Sequence, residues 1–209
     1  MSPLARKLYN VNRQRFSEAA NPLRSHGPDH HLRVYQHALT LAKKIDVSYD
    51  DDILAGACLL HDMAAYYPEL SGENYHDFDH KIVAEILAEI NFPAKKIAAT
   101  VYAIANHGSD TQYKKADELV EVTLLRDADK LDVFGPIGIA RIIMVRTLKG
   151  DTLPEIVEDF YTNGHLKQKW DSITYDATRE LAGDDYEYSL TFFKHLTATL
   201  TANDQLSPT

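Results

Sequence analysis

The sequence predicts an all-α fold, a single globular multi-helix bundle, on three observations. Apolar residues recur every three and four positions through nearly every segment, the spacing of one helical face. Prolines and glycines fall mainly between those segments. The 209 residues exceed the ~150-residue domain prior only modestly, and they contain no internal repeat and no linker long enough to separate two domains. One domain spanning 1–209 is the expectation.

The first helix is predicted over Pro3–Ala19 and the second over Asp29–Ile45, where Val34, Ala38 and Leu41 share a stripe. A third begins near Asp52. Its run Ile53–Leu60 is apolar on every side, which suits a helix at the centre of a bundle, and it ends at His61-Asp62. Pro68–Asn74 reads as a loop and Phe78–Ile90 as a helix. Pro93 is placed to be the first residue of the next helix, which reaches Asn106 with Gly108 as its stop. Over Glu118–Asp132, Val120, Val122 and Thr123 favour a strand, whereas Leu124, Leu125, Ala128 and Leu131 keep helical spacing; we read a helix. Beyond Gly135-Pro136, helices are predicted at Ile137–Leu148, Thr152–Lys169, Ile173–Leu181 and Asp185–Leu200, with a frayed tail from Thr201.

Charge and cysteine usage narrow the function classes. With 22 Lys and Arg against 31 Asp and Glu, net −9, and basic residues scattered, the chain lacks the footprint of an extended nucleic-acid binder. A local basic pocket for a small anion stays open, because such a ligand feels its nearest neighbours more than the net charge. Cys58 is the only cysteine, so there is no intrachain disulfide and no thiolate cluster, and a reducing cytoplasm fits. No stretch of ~18 apolar residues occurs, so no membrane partner is expected. A homo-oligomer is left open.

The chemistry sits in the histidines and two aspartates. His30 shares a stripe with Val34, Ala38 and Leu41, and His61 with Leu54 and Ala57. His80 lies with Ala84 and Leu87, and His107 with Thr100, Ala103 and Ile104. Asp129 continues the stripe of Val122 and Leu125. Taken singly, each has a bland reading as a core group hydrogen-bonded to its neighbours. Taken together they converge inward, and Asp62, beside an almost wholly apolar helix, needs a cation, a donor or solvent if it is to remain charged. Imidazole nitrogens mixed with carboxylate oxygens suit a divalent ion such as Mn²⁺, Fe²⁺ or Mg²⁺, with Zn²⁺ or Co²⁺ also admissible.

Asp29-His30-His31-Leu32-Arg33-Val34, then Leu59-Leu60-His61-Asp62, then Asp127-Ala128-Asp129-Lys130-Leu131-Asp132, resemble the HD-domain metal-dependent phosphohydrolases, whose signature is H…HD…D. Gly135–Arg141 adds to the likeness. The resemblance implies an HD-type bundle with a metal-binding core over about 25–145 and C-terminal helices over about 150–200 packing on it. It also implies His30, His61, Asp62 and Asp129 as metal ligands, with Asp62 the bridge if a second ion is present. Two-metal members add two histidines between the HD pair and the last aspartate, and His80 and His107 stand in those places. One ion or two is therefore open. Where many members carry an Ile-Gly-Lys type sequence after the HD pair, this chain has Met63-Ala64-Ala65.

A divalent ion lowers the pKa of bound water toward ~7 in the best-studied zinc case, which makes hydroxide available as a nucleophile near neutrality. Charge developing on phosphoryl oxygens then needs a cation, and Lys130 is the first candidate, with Arg33 and Arg141 behind it. Asp62, Lys130 and Arg33 are thus the catalytic candidates, and Lys130, Arg33, Arg141 and His31 the substrate-binding ones. Asp132 is a candidate to orient a histidine ligand, and Tyr66 and Tyr67 to line a mouth that stacks a nucleobase. His37 reads as core or as support for a ligand, and His26 and His76 are left without a role. The function expected is hydrolysis of a phosphoester or phosphoanhydride bond in a small phosphorylated metabolite, with nucleotides foremost. Two alternatives stay open: a mixed-valent di-iron oxygenase of the same superfamily, and a non-catalytic regulatory domain cross-linked by its metal.

Overall fold

The structure, a computed structural model, describes residues 1–67, 75–108 and 119–204. Among these residues there are ten α-helices and no strand. The chain divides into two compact units, 1–129 and one that begins at Lys130.

In the first unit, α1 (Pro3–Glu18) starts at Ser2, whose hydroxyl accepts from the Ala5 N–H at 3.1 Å and satisfies a donor the helix cannot. A 3₁₀ turn, Arg24–His26, leads into α2 (Pro28–Lys44), which opens on a proline that has no N–H to leave unpaired. The carboxylate of Asp50 caps α3 (Asp51–Leu60) by accepting from Asp52 and Ile53. A second 3₁₀ turn, Met63–Tyr66, follows α3, and α4 (Tyr75–Glu89), α5 (Ala94–Ala105) and α6 (Val120–Leu131) come after it. Pro93 stands one position before α5 rather than inside it. The Glu118–Asp132 segment is helical over Val120–Leu131, so the spacing of Leu124, Leu125, Ala128 and Leu131 outweighs its β-branched start.

As its apolar run predicts, α3 is buried along Ile53–Leu60 and packs against α1, α2 and α5. Gly56 permits that close approach: a Cβ there would meet Thr100 Cγ2 of α5 at 2.8 Å. The packing matters for function because His61-Asp62 ends α3 and His107 lies just past α5.

The second unit holds α7 (Gly135–Leu148), α8 (Leu153–Val157), a π-helical turn (Glu158–Thr162), α9 (His165–Asp171) and α10 (Asp176–Asp204). Its core includes Ile156, Leu166 and Phe193, all fully buried. Two expectations fail here. Thr152–Lys169 is not one helix: the π turn and Gly164, at φ +76°, interrupt it. Ile173–Leu181 and Asp185–Leu200 are not two helices, because α10 runs unbroken through Gly183. The frayed end expected from Thr201 is helical to Asp204. The loop expected at Pro68–Asn74 and the tail 205–209 lie outside the described residues. No helix among the described residues is long and apolar enough to cross a membrane.

Candidate metal centre

Four helix ends of the first unit bring the candidate ligands together. His30 comes from the first turn of α2, His61 and Asp62 from the end of α3, Asp129 from the last turn of α6, and His107 from just beyond α5. Two contacts hold α6 in register: the Asp50 N–H donates to Glu121 Oε1 at 2.6 Å, and Arg126 Nη2 donates to the Asn106 carbonyl at 2.5 Å.

The Nε2 atoms of His30 and His61 lie 3.1 Å apart. Asp129 Oδ1 is 3.4 Å from the first and 3.8 Å from the second, and Asp62 Oδ2 is 3.8 Å from the first and 3.4 Å from the second. His107 Nε2 approaches the other carboxylate oxygen, Asp62 Oδ1, at 3.9 Å. Ligand atoms therefore gather in two overlapping triads, His30–His61–Asp129 and His61–Asp62–His107.

Backbone carbonyls fix which ring nitrogens face inward. His61 Nδ1 donates to the Cys58 carbonyl at 3.0 Å and His107 Nδ1 to the Ile104 carbonyl at 2.5 Å, so in the neutral ring each Nε2 carries its lone pair toward the cluster. A carbonyl can only accept, which decides the tautomer. Nitrogen lone pairs and carboxylate oxygens thus point at one another, an arrangement that needs a cation between them. A divalent ion fits that donor set, since ligand–ligand edges of 3.1–3.8 Å are what metal–nitrogen and metal–oxygen bonds of ~2.0–2.2 Å subtend.

Protonation in the metal-free site tells the same story. Burial works against a charged His61, yet Asp62 and then Asp129 carry it up to about 9, so a proton stands where a cation is wanted. Burial also opposes ionisation of Asp62, but His61, His26 and His107 hold its carboxyl well below the usual range. Burial, then the neighbouring His61, pushes His107 and His31 down, the latter strongly.

The remaining candidates divide. His80 is half-buried on α4 and belongs to neither triad. His31, proposed for substrate, is wholly buried: Nδ1 meets the Gly27 carbonyl at 3.1 Å and the ring packs 4.7 Å from that of His61. Arg33 lies one turn beyond His30 on α2, half-buried. Lys130 is buried and its ammonium donates to the Ser172 carbonyl within the second unit. Arg141 Nη1 is held at 2.9 Å by both the carbonyl and the Oδ2 of Asp132. Tyr66 does not line a mouth. It is fully buried, and its hydroxyl donates to Asn12 Oδ1 at 2.8 Å.

Two participants carry no sequence expectation. His26 Nε2 stands 3.9 Å from Asp62 Oδ2, presented by the 3₁₀ turn that precedes α2. Asn12 is a fully buried amide on the inner stripe of α1 with Ala5 and Leu8. Its Nδ2 donates to the Leu59 carbonyl at 2.7 Å, so with Tyr66 it braces both sides of the His61-Asp62 pair. Asn12→Ala takes this donor from the buried Leu59 carbonyl and leaves the Tyr66 hydroxyl only the His31 Nδ1 at 3.3 Å. A loss of about 2–4 kcal/mol in urea-unfolding stability is expected, and a loss under about 1 kcal/mol would show the brace to be dispensable.

A family profile for the HD domain matches residues 29–133. A search of curated proteins returns no match. Among solved structures, a protein from Lactobacillus plantarum shares the fold at a TM-score of 0.75 and 21% identity, over 97% of this chain and 99% of that one. YpgQ of Bacillus subtilis, solved in complex with ADP, follows at 0.68 and 22%, over 93% and 97%. An HD-superfamily hydrolase from Bacillus thuringiensis stands at 0.67 and 23%, over 95% and 97%. At these identities the likeness shows the fold.

Proposed function

Because the chain belongs to the HD-domain family, with the matched span carrying all the candidate ligands, we propose that it is a metal-dependent hydrolase of phosphoester or phosphoanhydride bonds in a small phosphorylated metabolite. The observation that supports this best is the convergence of the inward Nε2 atoms of His30 and His61 and the carboxylate oxygens of Asp62 and Asp129 on one point, where a proton or a cation must balance them. His30, His61, Asp62 and Asp129 would hold the ion, and Asp62 Oδ1 with His107 offers the start of a second position. A bound divalent ion supplies Lewis acidity toward a phosphoryl oxygen and an acidic water as nucleophile.

The chain's own groups do the rest. The Cys58 carbonyl keeps the His61 ring in the ligating tautomer. Arg33, on the same helix as His30, is the cation of this unit we assign to a phosphoryl oxygen. Lys130 and Arg141 have carbonyl and carboxylate partners in the second unit, which argues for structural roles. Nucleotides lead the substrate classes, since YpgQ, alike in fold over most of both chains, was solved with ADP. The oxygenase alternative draws on both His80 and His107, and only the latter joins a triad.

The test is a turnover screen of phosphorylated metabolites, nucleoside di- and triphosphates first, with Mn²⁺, Fe²⁺, Co²⁺ or Mg²⁺ added to metal-free protein. Release of phosphate or pyrophosphate with at least one ion is expected. Ion binding with no phosphate-ester or anhydride cleavage across the panel would overturn the hydrolytic reading.

A further inference from the structure

We propose that His26 is a substrate-binding residue of this centre, its Nε2–H donating to an oxyanion of the phosphorylated substrate, and that it is not a metal ligand; this rests on the hydrolytic reading above. Among the imidazoles that face Asp62, His26 is the most open to solvent: its side chain is 24% exposed, against 15% for His107, 1% for His30 and 0% for His61. It also joins neither ligand triad. His26 therefore stands at the rim, where an incoming anion arrives.

The 3₁₀ turn that presents His26 is held firmly. The His26 N–H donates to the Leu23 carbonyl at 2.9 Å, and the Leu23 N–H to the Ala65 carbonyl at 2.8 Å. The Ala65 N–H in turn reaches the Asp62 carbonyl at 3.0 Å, which ties the turn to the ligand-bearing segment itself. Gly27 passes close to Phe16, where an added Cβ would lie 3.3 Å from the ring. The imidazole is thereby set in place before any ligand comes, which reduces the ordering cost of binding.

Its hydrogen-bonding sense follows from its neighbours. Nδ1 faces the buried hydroxyl of Ser25 at 2.9 Å, and Nε2 faces the Asp62 carboxylate side. Unlike the carbonyls that face His61 and His107, the Ser25 hydroxyl is able to donate into Nδ1; in that tautomer Nε2 carries the proton and serves as a donor to oxyanions rather than a ligand to a cation.

The test measures binding rather than turnover, on His26→Ala and His26→Gln, with Gln keeping a donor near the Nε2 position. Mn²⁺ is titrated into metal-free protein, and orthophosphate into Mn²⁺-loaded protein, both by calorimetry. His26→Ala should bind Mn²⁺ within about threefold of the parent and orthophosphate at least about tenfold more weakly, with His26→Gln recovering most of the loss. Unchanged orthophosphate binding in a folded His26→Ala overturns the proposal, as does a tenfold loss of Mn²⁺ affinity, which would make His26 a ligand. If His26→Ala does not fold, His26→Gln decides: near-parental binding of both probes supports the donor role, and lost Mn²⁺ binding overturns it. A parent protein that cleaves phosphate compounds while His26→Ala binds orthophosphate normally removes this inference alone; a parent that binds Mn²⁺ but neither binds orthophosphate nor cleaves anything removes the hydrolytic reading with it.

Discussion

Asp62→Ala is expected to lose its ion and its turnover together. The carboxylate is the most connected group of the cluster, within 3.4 Å of His61, 3.8 Å of His30, and 3.9 Å of both His107 and His26. Without it, imidazoles converge with only Asp129 to offset an ion's charge. Losing an outer partner of a metal ligand typically costs ~10–100-fold in affinity, so loss of this inner carboxylate should exceed the upper end of that range. Asp62→Asn preserves shape and removes charge, and it should fail nearly as badly. Metal content after equilibration with Mn²⁺, followed by a calorimetric titration, checks both variants. The fold should survive, because α3 remains buried against α1, α2 and α5 and braced by Asn12. Parental ion content in Asp62→Ala would show that the ion sits elsewhere, and the hydrolytic assignment would have lost its centre.

What could be read from the sequence was whatever helical period could carry. His30, His61, His107 and Asp129 each lie on an apolar stripe near a helix terminus, so spacing alone aims them inward, and the structure gathers them with Asp62 into the two triads. His26 had no such period to betray it, since it sits in a 3₁₀ turn whose placement depends on the contact from Leu23 to Ala65. Asn12 was hidden for the opposite reason: it occupies an apolar stripe, and only the buried carbonyl of Leu59 explains an amide there. Tyr66 misleads because an aromatic after a ligand pair reads as a pocket wall, whereas its hydroxyl has a buried partner. The C-terminal misreadings share one cause, the weight given to glycine. Gly183 costs a helix only about 1 kcal/mol relative to alanine, and the burial of Ala182 and Phe193 on α10 offsets it. Gly164 does end a segment, because its φ of +76° is a conformation helices do not contain.

Ion uptake at pH 7 is expected to release about one proton, and ion affinity should rise about tenfold per pH unit until the His61 proton is gone near pH 9. An ion needs the bare Nε2 of His61, which in the metal-free protein holds a proton up to about 9 because Asp62 and Asp129 outweigh the cost of burying its charge. His107 and His31, pushed down by burial, are already neutral and add nothing to the count. The same shift sets the stability of the metal-free chain. His61 binds its proton more tightly folded than unfolded, so its contribution is complete below the unfolded value of about 6.5 and is lost as pH rises through about 9. Asp62 works in the other sense: its lowered folded pKa contributes above the ordinary carboxylate value and fades as pH falls below it. Between pH 6 and pH 9 the metal-free protein should therefore weaken while ion binding strengthens, and the rise in melting temperature produced by a fixed Mn²⁺ concentration should grow across that interval. Calorimetric titrations in two buffers of different ionisation enthalpy give the proton count directly, and thermal unfolding with and without Mn²⁺ gives the trend. An affinity that stays flat from pH 6 to pH 9 would mean that the inward nitrogen of His61 holds no proton for an ion to displace, and that the four acceptors are balanced by some other donor.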